Sequence, residues 1–190
     1  MKKLITFGIP VIIAIVAILF LKPIIEQSKE QKKYAFTVST IKGDVSKEDF
    51  KGKVLAVYFG YTFCPDVCPT SLSSLAQALS DFSPEQLKSF RGLFISVDPD
   101  RDTLENLKEY AQYFHPTFLG ATSNKKNIDD ITQRYGTFYE KIYLKDSKMD
   151  YSVSHTSYIY IFDKQGNFVA KVDHFSDPNK IKESLETLLK

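Results

Sequence analysis

Hydrophobic positions divide the chain into two stretches of different kind. From Leu4 to Leu21 runs an uncharged, mostly apolar segment of eighteen residues, preceded by Lys2 and Lys3 and closed by Lys22 and Pro23. Apolar on all sides and near the ~20 residues that cross a bilayer, it predicts a transmembrane helix rather than one face of a core. It exceeds the ~7 to 15 residues of a signal-peptide core, and no small-x-small cleavage site follows, so residues 1–22 read as an uncleaved anchor. Residues 23–33, rich in Lys, Glu and Gln, read as a short stalk.

From Tyr34 the pattern changes to alternating strands and helices, giving one domain over residues 34–190. Val54 to Gly60 is a continuous apolar strand, and Leu72, Leu75, Ala76, Leu79 and Phe82 recur at helical spacing behind it. A second buried strand, Leu93 to Val97, leads into Asp98-Pro99-Asp100-Arg101-Asp102. Asp102 and Glu105 predict a capping box for a helix bearing Leu104, Leu107, Ala111 and Phe114. Ile128, Ile131 and Tyr135 mark a further helix that ends at Gly136. Ser157 to Phe162, a turn at Asp163 to Asn167, and Phe168 to Val172 predict a hairpin, as do Phe36 to Val38 and the turn at Lys42 to Asp44. Pro178 opens a last helix with Ile181, Leu185, Leu188 and Leu189 on one face. This order predicts an α/β domain, a mixed sheet flanked by helices. Ligand sites in such sheets lie beyond the carboxyl ends of the parallel strands. The segment after Gly60 and the Asp98 to Asp102 turn both follow strand ends, so both are expected on one rim.

Twenty-five Lys and Arg against 23 Asp and Glu leave a formal charge of +2, without a basic stripe interleaved with aromatics. That sets nucleic-acid binding aside. Charge also bears on topology, because Lys22, Lys29, Lys32 and Lys33 compete with Lys2 and Lys3 under the positive-inside rule. A two-lysine tail is expected to stay cytoplasmic. The protein then crosses the plasma (inner) membrane once, with its soluble domain on the extracytoplasmic, oxidising side. No cysteine lies near Leu21 for acylation.

The two cysteines of the chain both fall in Phe63-Cys64-Pro65-Asp66-Val67-Cys68-Pro69, at the mouth of the first buried strand. Pro69 suits the first turn of a helix, so the helix begins near Cys68 and its positive end favours thiolate over thiol. This serves a redox nucleophile and a metal ligand equally, and the spacing also permits a disulfide. His155, just before the predicted hairpin strand, is a third ligand candidate, while His115 at a helix end and His174 read as capping or surface residues. Asp66, between the cysteines, could tune their charge, although acids are common at helix starts. Asp98 could orient a ligand as a hydrogen-bond acceptor or be an ordinary turn aspartate before Pro99.

Three segments in this order, Tyr61 to Pro69, Ser96 to Thr103 and Ser154-His155-Thr156-Ser157, resemble the Sco/SenC family of copper proteins across essentially the whole domain. The resemblance implies a thioredoxin-like fold and a copper site with Cys64 and Cys68 as thiolate ligands and His155 as imidazole ligand. Two thiolates and an imidazole suit the soft cuprous ion, and cupric ion can also be held. The family's role implies delivery of copper to the copper-site subunit of a respiratory terminal oxidase, with an upstream copper donor as a further partner. The alternative is a tethered thiol-disulfide oxidoreductase that reduces the cysteines of the oxidase copper site through a redox-active Cys64 to Cys68 disulfide. Against it stand three residues, not two, between the cysteines and the lack of tryptophan. A merely structural disulfide closing so short a loop would constrain little.

Overall fold

The computed structural model describes residues 19–145, 149–173 and 177–190. The expected anchor up to residue 18 and His174 lie outside them. Residues 19–33 are helical, and among the described residues no helix is long and apolar enough to cross a membrane. The described residues before Tyr34 and those of Tyr34–Lys190 form separate units.

Seven strands make one sheet. In chain order these are β1 (Thr37–Thr40), β2 (Gly43–Ser46), β3 (Val54–Gly60), β4 (Phe90–Ser96), β5 (Phe118–Thr122), β8 (Tyr158–Phe162) and β9 (Phe168–Asp173), arranged β2-β1-β5-β4-β3-β8-β9. The centre, β5-β4-β3, is parallel, whereas β1 and β8 run antiparallel to their neighbours. All seven residues of β3 are buried, which is why the sequence shows a continuous apolar run there rather than an alternation. Both hairpins expected from the sequence form, β1 with β2 and β8 with β9.

The helices are α1 (Val67–Leu79), α2 (Pro84–Lys88), α3 (Leu104–Phe114), α4 (Lys125–Tyr135) and α5 (Pro178–Glu186). Helix α1 packs against α5, and α3 against β4 and β5. Their apolar residues, Leu72, Leu75 and Leu79 of α1 and Leu107 and Ala111 of α3, join Phe59, Phe94 and Ile161 of the sheet in one core. Fully burying one such large side chain contributes about 1.5–3 kcal/mol.

Two elements depart from the sequence reading. The remaining strands, β6 (Tyr139–Tyr143) and β7 (Tyr151–His155), form a hairpin of their own that joins no strand of the large sheet. And Asp102 does not cap α3: Thr103 does, accepting from the Asn106 amide at 3.2 Å. Asp102 is buried and accepts instead from the Thr62 amide (3.0 Å), the Thr62 hydroxyl (2.5 Å) and the Ser96 hydroxyl (2.5 Å). Three donors in a dry setting hold a carboxylate more strongly than one exposed helix end can. The bond to Thr62 fastens the turn after β4 to the segment after β3, and so sets the rim on which the cysteines sit.

Candidate metal centre

Cys64 lies in the connection between β3 and α1, its amide bonded to the Tyr61 carbonyl at 3.2 Å. Helix α1 starts at Val67, so Cys68 and Pro69 occupy its first turn, where the proline's missing N–H has no carbonyl to lose. The Cys68 amide donates to Cys64 Sγ at 3.4 Å. Hydrogen bonding from the Cys68 thiol, helped by His155 and the amides of Asp66 and Cys68, outweighs burial and holds the Cys64 thiol well below its ordinary range. Cys68 is fully buried, and desolvation, reinforced by the neighbouring Cys64, pushes its thiol up. The pair is therefore unequal: the half-buried Cys64 beside the helix N-terminus is the more acidic thiol and the buried Cys68 the less acidic one. Both cysteines are unbridged in this structure.

His155 is the last residue of β7, and Nε2 lies 3.2 Å from Cys68 Sγ. Nδ1 faces the Thr156 carbonyl (3.3 Å) and the Ser157 hydroxyl (3.4 Å). A proton on Nδ1 can be donated to that carbonyl, which leaves the Nε2 lone pair directed at the sulfurs. Tyr58 and Tyr61 fix the ring from the sides, both edge-on, with centroids 6.3 and 5.9 Å away. One ligand atom from each of Cys64, Cys68 and His155 lies within 4.8 Å of the others, and among the described residues this is the one group of such side chains able to hold a metal. A cleft of about 330 Å³ lined by Tyr61, Cys64, Asp66, Val153 and His155 opens onto it.

The remaining candidates fall elsewhere. Asp66 precedes α1 with its carboxylate exposed toward the Thr70 hydroxyl (3.4 Å), and what it gives the site is its backbone amide. Asp98 is fully buried and meets no ligand atom: it accepts from Arg101 Nε at 2.5 Å and from the Tyr151 hydroxyl at 2.7 Å. Arg101 in turn donates to the carbonyls of Met149 (3.2 Å) and Tyr151 (2.9 Å) and lies 3.7 Å from the Tyr151 ring centroid. Asp98 thus acts on the hairpin that carries His155 rather than on the imidazole. His115 is bonded to Thr117, away from the cluster. Sequence reasoning missed Arg101, Tyr151 and the hairpin itself. The one available signal was the alternation of Tyr139, Lys141 and Tyr143.

Known proteins give this arrangement a context. The SCO1/SenC family model matches residues 25–190. The chain belongs to the SCO1/SenC family. A SCO2-like protein of Rickettsia conorii is 35% identical over 147 residues, which cover 77% of this chain and 70% of that protein. Among solved structures, Arabidopsis thaliana ScoI with copper bound is 31% identical with a TM-score of 0.72, covering 82% of this chain and 96% of that one. The thioredoxin domain of a thiol-disulfide oxidoreductase from Bacteroides vulgatus aligns with a TM-score of 0.56 at 22% identity, a likeness of fold alone. The SCO1/SenC domain here is accordingly thioredoxin-like, with the β6–β7 hairpin set outside its main sheet.

Proposed function

We propose that this SCO1/SenC protein holds one copper ion between Cys64 Sγ, Cys68 Sγ and His155 Nε2 and hands it to the copper-site subunit of a respiratory terminal oxidase. The observation that carries this reading is the convergence of two sulfurs and one imidazole nitrogen within 4.8 Å of one another. Soft sulfur with borderline nitrogen suits cuprous ion, and three protein ligands leave a position open. The copper bound to the Arabidopsis relative supports the same choice. Transfer is ligand exchange. A thiolate or imidazole of the recipient enters through the cleft and bonds copper, the bond to the more accessible Cys64 breaks, and the freed thiolate stays ionised or takes a proton from water, with the oxidation state of copper unchanged. Tethering fits this role, since donor and recipient share a membrane. The exposed apolar side chains of Leu19, Phe20 and Leu21 support an anchor over residues 4–21.

X-ray absorption on anaerobically loaded protein tests the site. The expected result is one copper per chain with two sulfur neighbours and one nitrogen, and marked loss of copper in Cys64→Ala, Cys68→Ala and His155→Ala. Oxygen neighbours alone, or full retention without both cysteines, would defeat the assignment. The unequal thiols favour one second reading, reduction of the recipient's disulfide: Cys64 attacks, Cys68 resolves, two recipient thiols form and an external reductant restores the pair. His155→Ala separates the two. Under copper delivery it fails to restore oxidase assembly although its disulfide remains reducible; normal assembly without added copper would favour the reductase.

A further inference from the structure

Sheet edges expose rows of backbone donors and acceptors, and folded proteins blunt them with short strands, bulges or charges. The outer strands of the large sheet follow this rule: β2 has four residues and begins at Gly43, whose φ is 118°, and β9 carries a register shift beside Phe162. Strand β6 does not. It pairs with β7 alone, runs five residues without bulge or proline, and turns its one lysine inward, where Lys141 bonds Asp100 at 2.6 Å. The Phe138 carbonyl accepts from the Thr156 amide at 2.9 Å and the Leu144 amide donates to the Asp150 carbonyl at 2.8 Å, so even-numbered residues face β7. By the alternation of an antiparallel ladder, the N–H and C=O groups of Tyr139, Lys141 and Tyr143 point to the outer edge. Among the described residues none of these groups has a partner. Tyr143 is 77% exposed and Ile142 43%, with Phe138 and Leu144 exposed beside them. The other edge of the hairpin is closed, since the Tyr151 carbonyl accepts from Arg101 at 2.9 Å.

We propose that two copies of this chain pair their β6 strands antiparallel about a two-fold axis at Ile142, making one sheet in the order β7-β6-β6-β7. Such a contact needs a patch that matches itself, and the residues of β6 supply the match in one register. Centred on Lys141, the pairing sets Lys141 against Lys141 and Glu140 against Ile142, like charges together and an acid on an apolar side chain. Centred on Ile142, it sets Ile142 against Ile142 on the outer face. On the inner face Lys141 then meets Tyr143 of the second copy, a cation beside an aromatic ring, and the two exchange backbone hydrogen bonds on each side of the axis. This self-match is what points to a second copy rather than to another protein. An edge of five residues buries little surface, so the dimer is weak and depends on concentration. Because β7 ends in His155, pairing braces the strand that presents the imidazole. The cleft over Cys64 is lined by β7 and not by β6, so it stays open.

Ile142→Cys in the full-length protein in detergent tests the register. With oxidised glutathione as oxidant, it should cross-link to its own copy about tenfold faster than Glu140→Cys or Leu144→Cys, because residue 142 alone meets itself, and peptide mapping should place the bridge there. Ile142→Asp, at an exposed position that the fold tolerates, puts two carboxylates on the axis. It should raise the dimer dissociation constant about tenfold or more in light scattering. Hydrogen exchange reads the wild type directly: the amides of Lys141 and Tyr143 should slow as concentration rises, whereas that of Ile142, turned toward β7, should not. Three results would overturn the proposal. They are a wild type that stays monomeric with those two amides unprotected, a dimer that survives Ile142→Asp, and slowing of those amides only when an oxidase copper-site subunit is added.

Discussion

A β-carbon built on Gly60 would meet Phe94 Cε2 at 2.8 Å as well as Cys68 Sγ at 2.6 Å. Neither neighbour is free to retreat, since Phe94 and Cys68 are both buried in the core. Gly60→Ala should therefore lower stability by about 1–3 kcal/mol in urea unfolding, and should displace one sulfur and weaken copper retention as well. His115 supplies a pH test at the same scale. Desolvation holds it below the ordinary imidazole range, and its Nδ1 accepts from the Thr117 amide at 3.2 Å, a bond that protonation of Nδ1 would remove. The folded state thus resists a proton that the unfolded chain accepts near pH 6.5. Stability from this group is present above that pH and is lost as pH falls through the lower folded value. Between pH 7.5 and 5.5 the urea midpoint of the wild type should drop more than that of His115→Gln.

At the scale of elements, the β6–β7 hairpin depends on the turn after β4. Tyr151 is gripped between Arg101 and Lys141, whose ammonium lies 4.3 Å from the ring centroid and also pairs with Asp100 at 2.6 Å. Arg101→Ala leaves the buried Asp98 carboxylate with the Lys141 ammonium, 3.9 Å away, as its remaining countercharge, a loss of up to about 3 kcal/mol. Amide exchange should quicken from Tyr151 to His155, and copper affinity should fall although no ligand is touched. Adding Asp98→Asn should recover part of the stability but little of the affinity. Strands β3 and β4, both edge hairpins of the main sheet and the cysteine segment were legible from their apolar runs, turn residues and helical periods. The β6–β7 hairpin was not, for Glu140, Ile142 and Tyr143 are exposed and no core selects their pattern. Strand β5 was hidden by Gly120, a poor strand former that is required there: a β-carbon would lie 2.1 Å from the Leu107 carbonyl oxygen. The role of Asp98 escaped for a related reason, since its partner Tyr151 lies 53 residues away.

For the whole molecule, sidedness is the expectation still to be measured. If the Lys2–Lys3 tail stays in the cytoplasm, the domain lies across the membrane. Alkaline phosphatase fused after Lys190 should be active in bacterial cells; fluorescence from a reporter that matures only in the cytoplasm would reverse the assignment. The cluster itself spans the chain, because 87 residues separate Cys68 from His155 and the latter arrives on a hairpin outside the main sheet. An incompletely folded chain offers two neighbouring thiols and no imidazole beside them. The grip of Arg101 on Tyr151 holds the hairpin that brings His155 to the two sulfurs. Under the proposed copper delivery, full loading would thereby act as a proofreading step: a misfolded copy would carry its ion loosely, lose it to competing thiols, and never reach the recipient with cargo.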